Sequence, residues 1–156
     1  MASFQLVGLP QEPFAPFFAL TDTELAEIGG LRVVAKESAA YPCRISLVDA
    51  EVGEELLLLP YCHQPAKSPY KASGPIYVRK NAQRQVLDVG YVPEYVARRL
   101  ISVRAYDADH LIVDADVCDG SNVAPEIERQ FANARARYIH LHNAKRGCYS
   151  CLVKRA

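Results

Sequence analysis

The alternation of hydrophobic and polar residues predicts a chain built mainly from short β-strands. Most candidate segments alternate with a period of two, which is typical of a strand with one buried face. The segment 55–62 instead has a continuous apolar centre, Leu56 to Leu59, which indicates burial on both faces. The candidate strands are residues 4–9, 31–35, 43–48, 55–62, 76–80, 101–106, 110–117, 138–143 and 148–154.

Helical periodicity is confined to a few segments. Thr21 or Asp22 is a suitable N-cap for a short helix that the Gly29-Gly30 pair would end. Pro93 is placed to open a second short helix. Pro125 opens the longest one, because the apolar side chains that follow recur on one helical face: Ile127, Phe131, Ala134 and Tyr138.

The order of these elements predicts an α+β fold. Strands follow one another directly, and helices do not alternate with them regularly, which favours a largely antiparallel sheet. We expect about eight short strands and two or three helices in a single domain, residues 1–156.

The last two strands carry the densest group of metal-binding residue types. His140 and His142 precede Cys148 and Cys151, and Ala144 to Gly147 would form the loop between them. If Asn143 opposes Cys148, then His142 opposes Tyr149 and His140 opposes Cys151. Cys148 then points to the opposite face.

A closed zinc site needs four ligands, and a regular hairpin aims at most three of these side chains at one point. A register slip of one residue would only exchange Cys148 for Cys151. The fourth ligand would have to come from elsewhere, such as Cys62 or His63. We therefore predict no bound metal and no cofactor.

Charge and composition exclude several classes of partner. Lys and Arg total 18, as do Asp and Glu, so the net charge is zero and nothing indicates a nucleic-acid or membrane partner. The N-terminus lacks the pattern of a secretory signal. Five cysteines, an odd number, favour reduced thiols and a cytoplasmic location.

One group of polar residues predicts a site for a small anionic ligand. Arg44 and Ser46 share one face of their predicted strand, and Tyr77 and Arg79 share one face of theirs. If these faces adjoin, two guanidinium groups can converge on a carboxylate or phosphate. The loop 68–74 would close over the site.

Two alternatives remain open at this point. The first is an enzyme that uses Cys43, or the face of His140 and His142, for nucleophilic or acid–base chemistry. Arg44 follows Cys43 directly, but neighbours on a strand point to opposite faces, so a structural role for Cys43 is favoured. The second alternative is a module that binds another protein. The patterns do not decide the oligomeric state.

Four segments resemble a known family. They are Tyr41-Pro-Cys-Arg-Ile-Ser-Leu-Val-Asp-Ala, Gly53-Glu-Glu-Leu-Leu-Leu-Leu, Ser73-Gly-Pro-Ile-Tyr-Val-Arg and His142-Asn-Ala-Lys-Arg-Gly-Cys-Tyr-Ser-Cys. The family is the bacterial domain of unknown function 1203, and the likeness extends over nearly the whole chain. The resemblance implies a bacterial, single-domain protein. It brings no activity, cofactor or catalytic residue with it.

Overall fold

Two five-stranded sheets organise the protein. The computed structural model describes residues 2–156. Sheet A has the strand order β1-β10-β9-β7-β8, and sheet B has the order β2-β5-β6-β3-β4. Sheet A is antiparallel throughout, whereas sheet B contains one parallel pair, β3 with β6. The α+β class is confirmed, although the ten strands form two sheets rather than one.

Most strand bounds lie within two residues of the predicted segments, but 43–48 is divided and β6 begins four residues early, so residues 72–74 of the predicted loop are strand. They are β1 (Phe4–Val7), β2 (Leu31–Val34), β3 (Pro42–Cys43), β4 (Val48–Asp49), β5 (Glu55–Gln64), β6 (Ala72–Arg79), β7 (Leu100–Tyr106), β8 (Ile112–Asp119), β9 (Tyr138–Asn143) and β10 (Tyr149–Arg155). The helices are α1 (Asp22–Glu27), α2 (Glu94–Ala97) and α3 (Val123–Phe131), with short 3-10 helices at Ala15–Ala19 and Gly120–Asn122.

Two main clusters of apolar side chains form the core, and Tyr149 of sheet A belongs to the cluster beside sheet B. One face of sheet A packs against α3, and Ile127 and Phe131 of that helix join Val103 and Leu141 in the core. Sheet B packs on the N-terminal helical segment, where Leu25 is fully buried. The cap of α1 forms as predicted, because Thr21 Oγ1 accepts a hydrogen bond from the Glu24 N–H at 3.2 Å.

The prediction of one continuous strand over 43–48 is wrong, because residues 44–47 form a turn. The chain turns after Cys43, and the Leu47 N–H donates to the Cys43 carbonyl at 3.0 Å. Leu47 adopts a left-handed conformation with φ of 54° and is buried. The turn leaves the two short strands β3 and β4 and directs Arg44 into the interior, where simple alternation would not have placed it.

Helix α3 is shorter than its apolar spacing predicts. It ends at Phe131, so Ala134 lies beyond it and Tyr138 begins β9. Arg155 stabilises the chain after the helix, because its guanidinium donates hydrogen bonds to the carbonyl groups of Phe131 and Ala136, each at 2.8 Å. None of the helices within residues 2–156 is long and apolar enough to cross a membrane.

Candidate functional site

A cavity of about 330 Å³ lies where the segment before β3, the end of α2 and the β9–β10 turn meet. Its volume is within the range of small-molecule sites, roughly 300–1,000 Å³. Five cationic side chains line it, and no aspartate or glutamate does so among residues 2–156. The five are Arg44, Arg98, Arg99, Lys145 and Arg146. We call this space the basic cavity.

Arg44 forms the inner wall of the basic cavity and is only 1% exposed. Its Nε donates to the Tyr149 carbonyl at 2.8 Å, and its Nη1 donates to the Pro42 carbonyl at 2.5 Å. Its Nη2 lies 3.2 Å from Cys148 Sγ. Within residues 2–156 no carboxylate pairs with this guanidinium, so a buried positive charge lacks a counter-ion.

The β9–β10 turn supplies the opposite wall. The Gly147 N–H donates to the Asn143 carbonyl at 2.7 Å, and the Asn143 N–H donates to the Cys148 carbonyl at 2.9 Å. Gly147 has a φ of 80°, a conformation that L side chains rarely adopt. This turn confirms the predicted four-residue loop and exposes Lys145 and Arg146 at the mouth of the cavity.

The end of α2 contributes the other two cations. Asp49 holds both, since its carboxylate lies 2.6 Å from Arg99 Nη2 and 3.3 Å from Arg98 Nη1. Gly120 packs against the end of this helix, and its N–H donates a hydrogen bond to the Arg99 carbonyl at 2.7 Å. A Cβ on Gly120 would overlap with the Val96 carbonyl oxygen. Glu94 adds a longer ion pair with Arg98 at 3.8 Å, so carboxylates offset part of the positive charge on this side of the cavity.

The four residues predicted to bind an anion separate into two pairs. Arg44 and Tyr77 line the basic cavity, whereas Arg79 and Ser46 do not. Arg79 is held by both oxygens of Glu54, at 2.9 and 2.5 Å, and by the Ser46 hydroxyl at 3.2 Å. This pairing with Arg79 lowers the pKa of Glu54. The two guanidinium groups of Arg44 and Arg79 therefore do not converge on one ligand as expected.

The loop 68–74 is also displaced from its predicted position. Ser68 Oγ donates to the His110 carbonyl at 3.1 Å, and Ser73 and Gly74 line a different depression beside β5. The 144–147 turn takes the place of this loop at the basic cavity.

The five cysteines are all free thiols, in contrasting surroundings. Cys43 is fully buried, and its sulfur accepts a hydrogen bond from the Arg79 N–H at 3.3 Å. Burial raises the pKa of Cys151 to about 12. Burial and the nearby carboxylates of Glu126, Asp116 and Asp119 raise the pKa of Cys118. Cys148 is half-buried and faces the basic cavity.

All four histidines of the chain belong to one aromatic cluster, which extends from His63 on β5 to the exposed His110 before β8. The His63 ring stacks on Tyr149, with centroids 5.5 Å apart, and lies 4.9 Å from the His142 ring. His140 is 6.5 Å from His142, and Tyr138 connects His140 to His110. Within residues 2–156, no group of three or more His, Cys, Asp or Glu side chains has a geometry that could hold a metal ion.

A bulge in β10 decides which side chains join this cluster. Tyr149 pairs with His142 as predicted, but the register shifts before Cys151, which pairs with Leu141. His140 therefore faces Leu152, and Cys151 enters the core beside α3. The four weak metal candidates divide accordingly. His140 and His142 lie in the aromatic cluster, Cys148 in the basic cavity and Cys151 in the core.

His142 connects the cluster to the basic cavity. Its Nδ1 lies 2.9 Å from the Gly147 carbonyl, which can only accept, so Nδ1 carries the proton. Its Nε2 then accepts from Arg104 Nη1, 3.5 Å away. Burial lowers the pKa of His142 to about 4, and Arg104 and His63 contribute to this effect. The neutral ring thus supports the turn that bears Lys145 and Arg146.

Sequence reasoning missed most of the residues around the basic cavity. Arg98 and Arg99 are adjacent in sequence, as are Lys145 and Arg146, and both pairs border predicted elements. These two basic dipeptides were the only local pattern that could have indicated the cationic residues of the cavity. Their convergence on Arg44 depends on contacts between the two sheets, which local patterns do not encode.

Comparison with known proteins identifies the family. No curated protein and no solved structure matches the chain. One family model, described as "Protein of unknown function (DUF1203)", matches residues 40–155. The match begins just before β3 and includes every side chain of the basic cavity named above. It omits β1, α1 and β2. The chain therefore belongs to the DUF1203 family.

Proposed function

We propose that this protein binds a small anionic ligand, such as a carboxylate or a phosphate ester, in the basic cavity. The observation that carries the proposal is the buried guanidinium of Arg44, which has no carboxylate partner within residues 2–156. An unpaired charge is costly to bury, and a bound anion would supply the missing counter-charge.

The surrounding charges support the same ligand class. Lys145 and Arg146 are exposed and form no ion pair among the described residues. Arg99 is less free, because Asp49 already engages it in two hydrogen bonds. Cations around a concave, low-dielectric surface raise the local concentration of anions and accelerate their association. In a chain of zero net charge, such a concentration is a local feature.

An enzyme based on Cys43 or on His140 and His142 receives less support. Cys43 is fully buried, and the two histidines are 6% and 1% exposed. No cysteine forms a hydrogen bond with a histidine in the part of the chain that the structure describes. That contact would be needed for a cysteine activated by a histidine base.

Binding is tested with inorganic phosphate as the probe. Phosphate should raise the melting temperature of the protein above that in chloride at equal ionic strength. The double variant Lys145→Gln, Arg146→Gln should weaken phosphate binding at least about tenfold, because each lost charge-assisted contact contributes roughly 1.5–3 kcal/mol. Calorimetric titration measures the affinity.

The matched control removes two exposed lysines elsewhere, Lys67→Gln and Lys71→Gln, and so changes the net charge equally. Its phosphate affinity should stay within about twofold of the original. Equal weakening in both double variants would show a general charge effect and contradict the proposal. The absence of any phosphate response in the unmodified protein would contradict it as well.

A further inference from the structure

The basic cavity contains a thiol as well as cations. Cys148 Sγ lies 3.2 Å from Arg44 Nη2 and 4.0 Å from Asn143 Nδ2, so donors approach the sulfur from two sides. We propose that Cys148 captures small anionic disulfides as mixed disulfides. This proposal rests on anion binding in the same cavity and adds a covalent step to it.

The sulfur lies within hydrogen-bond distance of the Arg44 guanidinium, and both groups line the same cavity. A guanidinium always donates and is always charged, and a thiolate accepts such hydrogen bonds more strongly than a thiol does. Arg44 therefore places a fixed positive charge beside the sulfur, and no carboxylate within residues 2–156 neutralises that charge. Reactive cysteines characteristically lie in partly exposed, electropositive surroundings, and Cys148 is half-buried among cations.

The other cysteines lack this combination. Cys43 and Cys151 are at most 1% exposed, so a disulfide cannot reach them in the folded protein. Cys118 lies among carboxylates. Cys62 is half-buried on β5 and does not line the basic cavity. Cys148 is the thiol among residues 2–156 that combines access with neighbouring positive charge.

Charge and space define the class of disulfide. Lys145 and Arg146 at the mouth attract carboxylate-bearing molecules and repel cationic ones. A volume of about 330 Å³ accommodates a small molecule and excludes a folded protein. The substrate class is therefore a low-molecular-weight disulfide that carries carboxylates.

The reaction balances without an external oxidant. The Cys148 thiolate attacks one sulfur of the disulfide, a new S–S bond forms, and the old one breaks. Cys148 is oxidised, and the other half of the disulfide leaves as a thiolate that takes a proton from water. Cys151 lies in the core beyond the β10 bulge, so the adduct should persist until a second small thiol attacks it.

Two disulfides of similar size and opposite charge test the proposal. The fully reduced protein is treated at low ionic strength with dithiodipropionate, a dianion, or with cystamine, a dication, and peptide mass spectrometry locates the adducts. At Cys148 the dianion should react at least about tenfold faster than the dication. At Cys118, with its acidic neighbours, the order should reverse. Added salt should reduce both preferences.

Variants separate the cavity from general charge. Cys148→Ser should abolish the fast adduct with dithiodipropionate. Lys145→Gln with Arg146→Gln should slow it several-fold without slowing cystamine, whereas Lys67→Gln with Lys71→Gln should leave both rates unchanged. Equal rates of both disulfides at Cys148, or a fast adduct at another cysteine, would overturn the inference. If phosphate still stabilises the unmodified protein in that case, the proposed anion binding stands and only the covalent step fails.

Discussion

Lowering the pH from about 8 to about 5 should destabilise the folded protein by about 4 kcal/mol, through His140 and His142. Burial, reinforced by His142, His63 and Arg104, lowers the pKa of His140 from 6.5 to about 3. Burial likewise lowers the pKa of His142 to about 4.

The sign follows from the protons bound in each state. Below pH 6.5 the unfolded chain protonates these rings while the folded protein keeps them neutral, so unfolding takes up protons. Stability therefore falls as the pH drops through 6.5 and continues to fall until about pH 4 for His142 and about pH 3 for His140. Each histidine contributes about 2 kcal/mol of this loss by about pH 5.

Urea unfolding at a series of pH values measures this effect. The slope near about pH 5 should include uptake of about two protons by His140 and His142, and His140→Gln should reduce it by about one. His63 adds to the slope in the same direction, because burial lowers its pKa as well. Carboxylates with lowered pKa, such as Glu54 and Glu126, contribute only at lower pH. Stability that is constant between about pH 8 and about pH 5 would contradict the prediction.

Replacing Arg44 should produce the largest loss of stability among the residues of the basic cavity. Arg44→Ala leaves the carbonyl groups of Tyr149 and Pro42 without their donor and opens a void in a buried position. Each unsatisfied buried acceptor costs roughly 1–3 kcal/mol, so the total should be about 3 kcal/mol or more even after the charge is removed. Arg44→Lys keeps the charge but cannot reach all three acceptors, and it should also be destabilising.

The same urea experiment measures this loss. Arg146→Ala is the matched control, because it removes an exposed guanidinium from the same cavity and should change stability by less than about 0.5 kcal/mol. A loss below about 1 kcal/mol for Arg44→Ala would show that the three contacts of Arg44 are not structural. In that case Arg44 would contribute to ligand binding and not to the stability of the fold.

The positions of most strands and helices could be predicted from local patterns. The alternating segment 138–143 coincides with β9, and the Thr21 cap and Gly29-Gly30 pair enclose α1. These features depend on neighbouring residues, through the period of two, side-chain capping and glycine conformation. The 144–147 turn was predicted for the same reason.

Errors arose wherever a distant contact overrode a local preference. The alternating segment 43–48 turns after Cys43, and Arg44 then donates to the Tyr149 carbonyl on β10, which is more than a hundred residues away in sequence. Helix α3 ends before Ala134, where Arg155 from the last strand takes its carbonyl groups. The separation of Arg44 from Arg79 follows from the first of these contacts.

The sequence by itself determined the α+β class, the neutral overall charge and the family. It also indicated that the five cysteines are free thiols. Tertiary structure alone decided that Arg44, Lys145 and Cys148 share one cavity, and that four histidines join one aromatic cluster. The physical reason is that periodicity assigns a side chain to a face of its own element, whereas a site requires faces of several elements to meet. That meeting is set by how two sheets pack, and in this protein a turn after Cys43 and a bulge in β10 decide it.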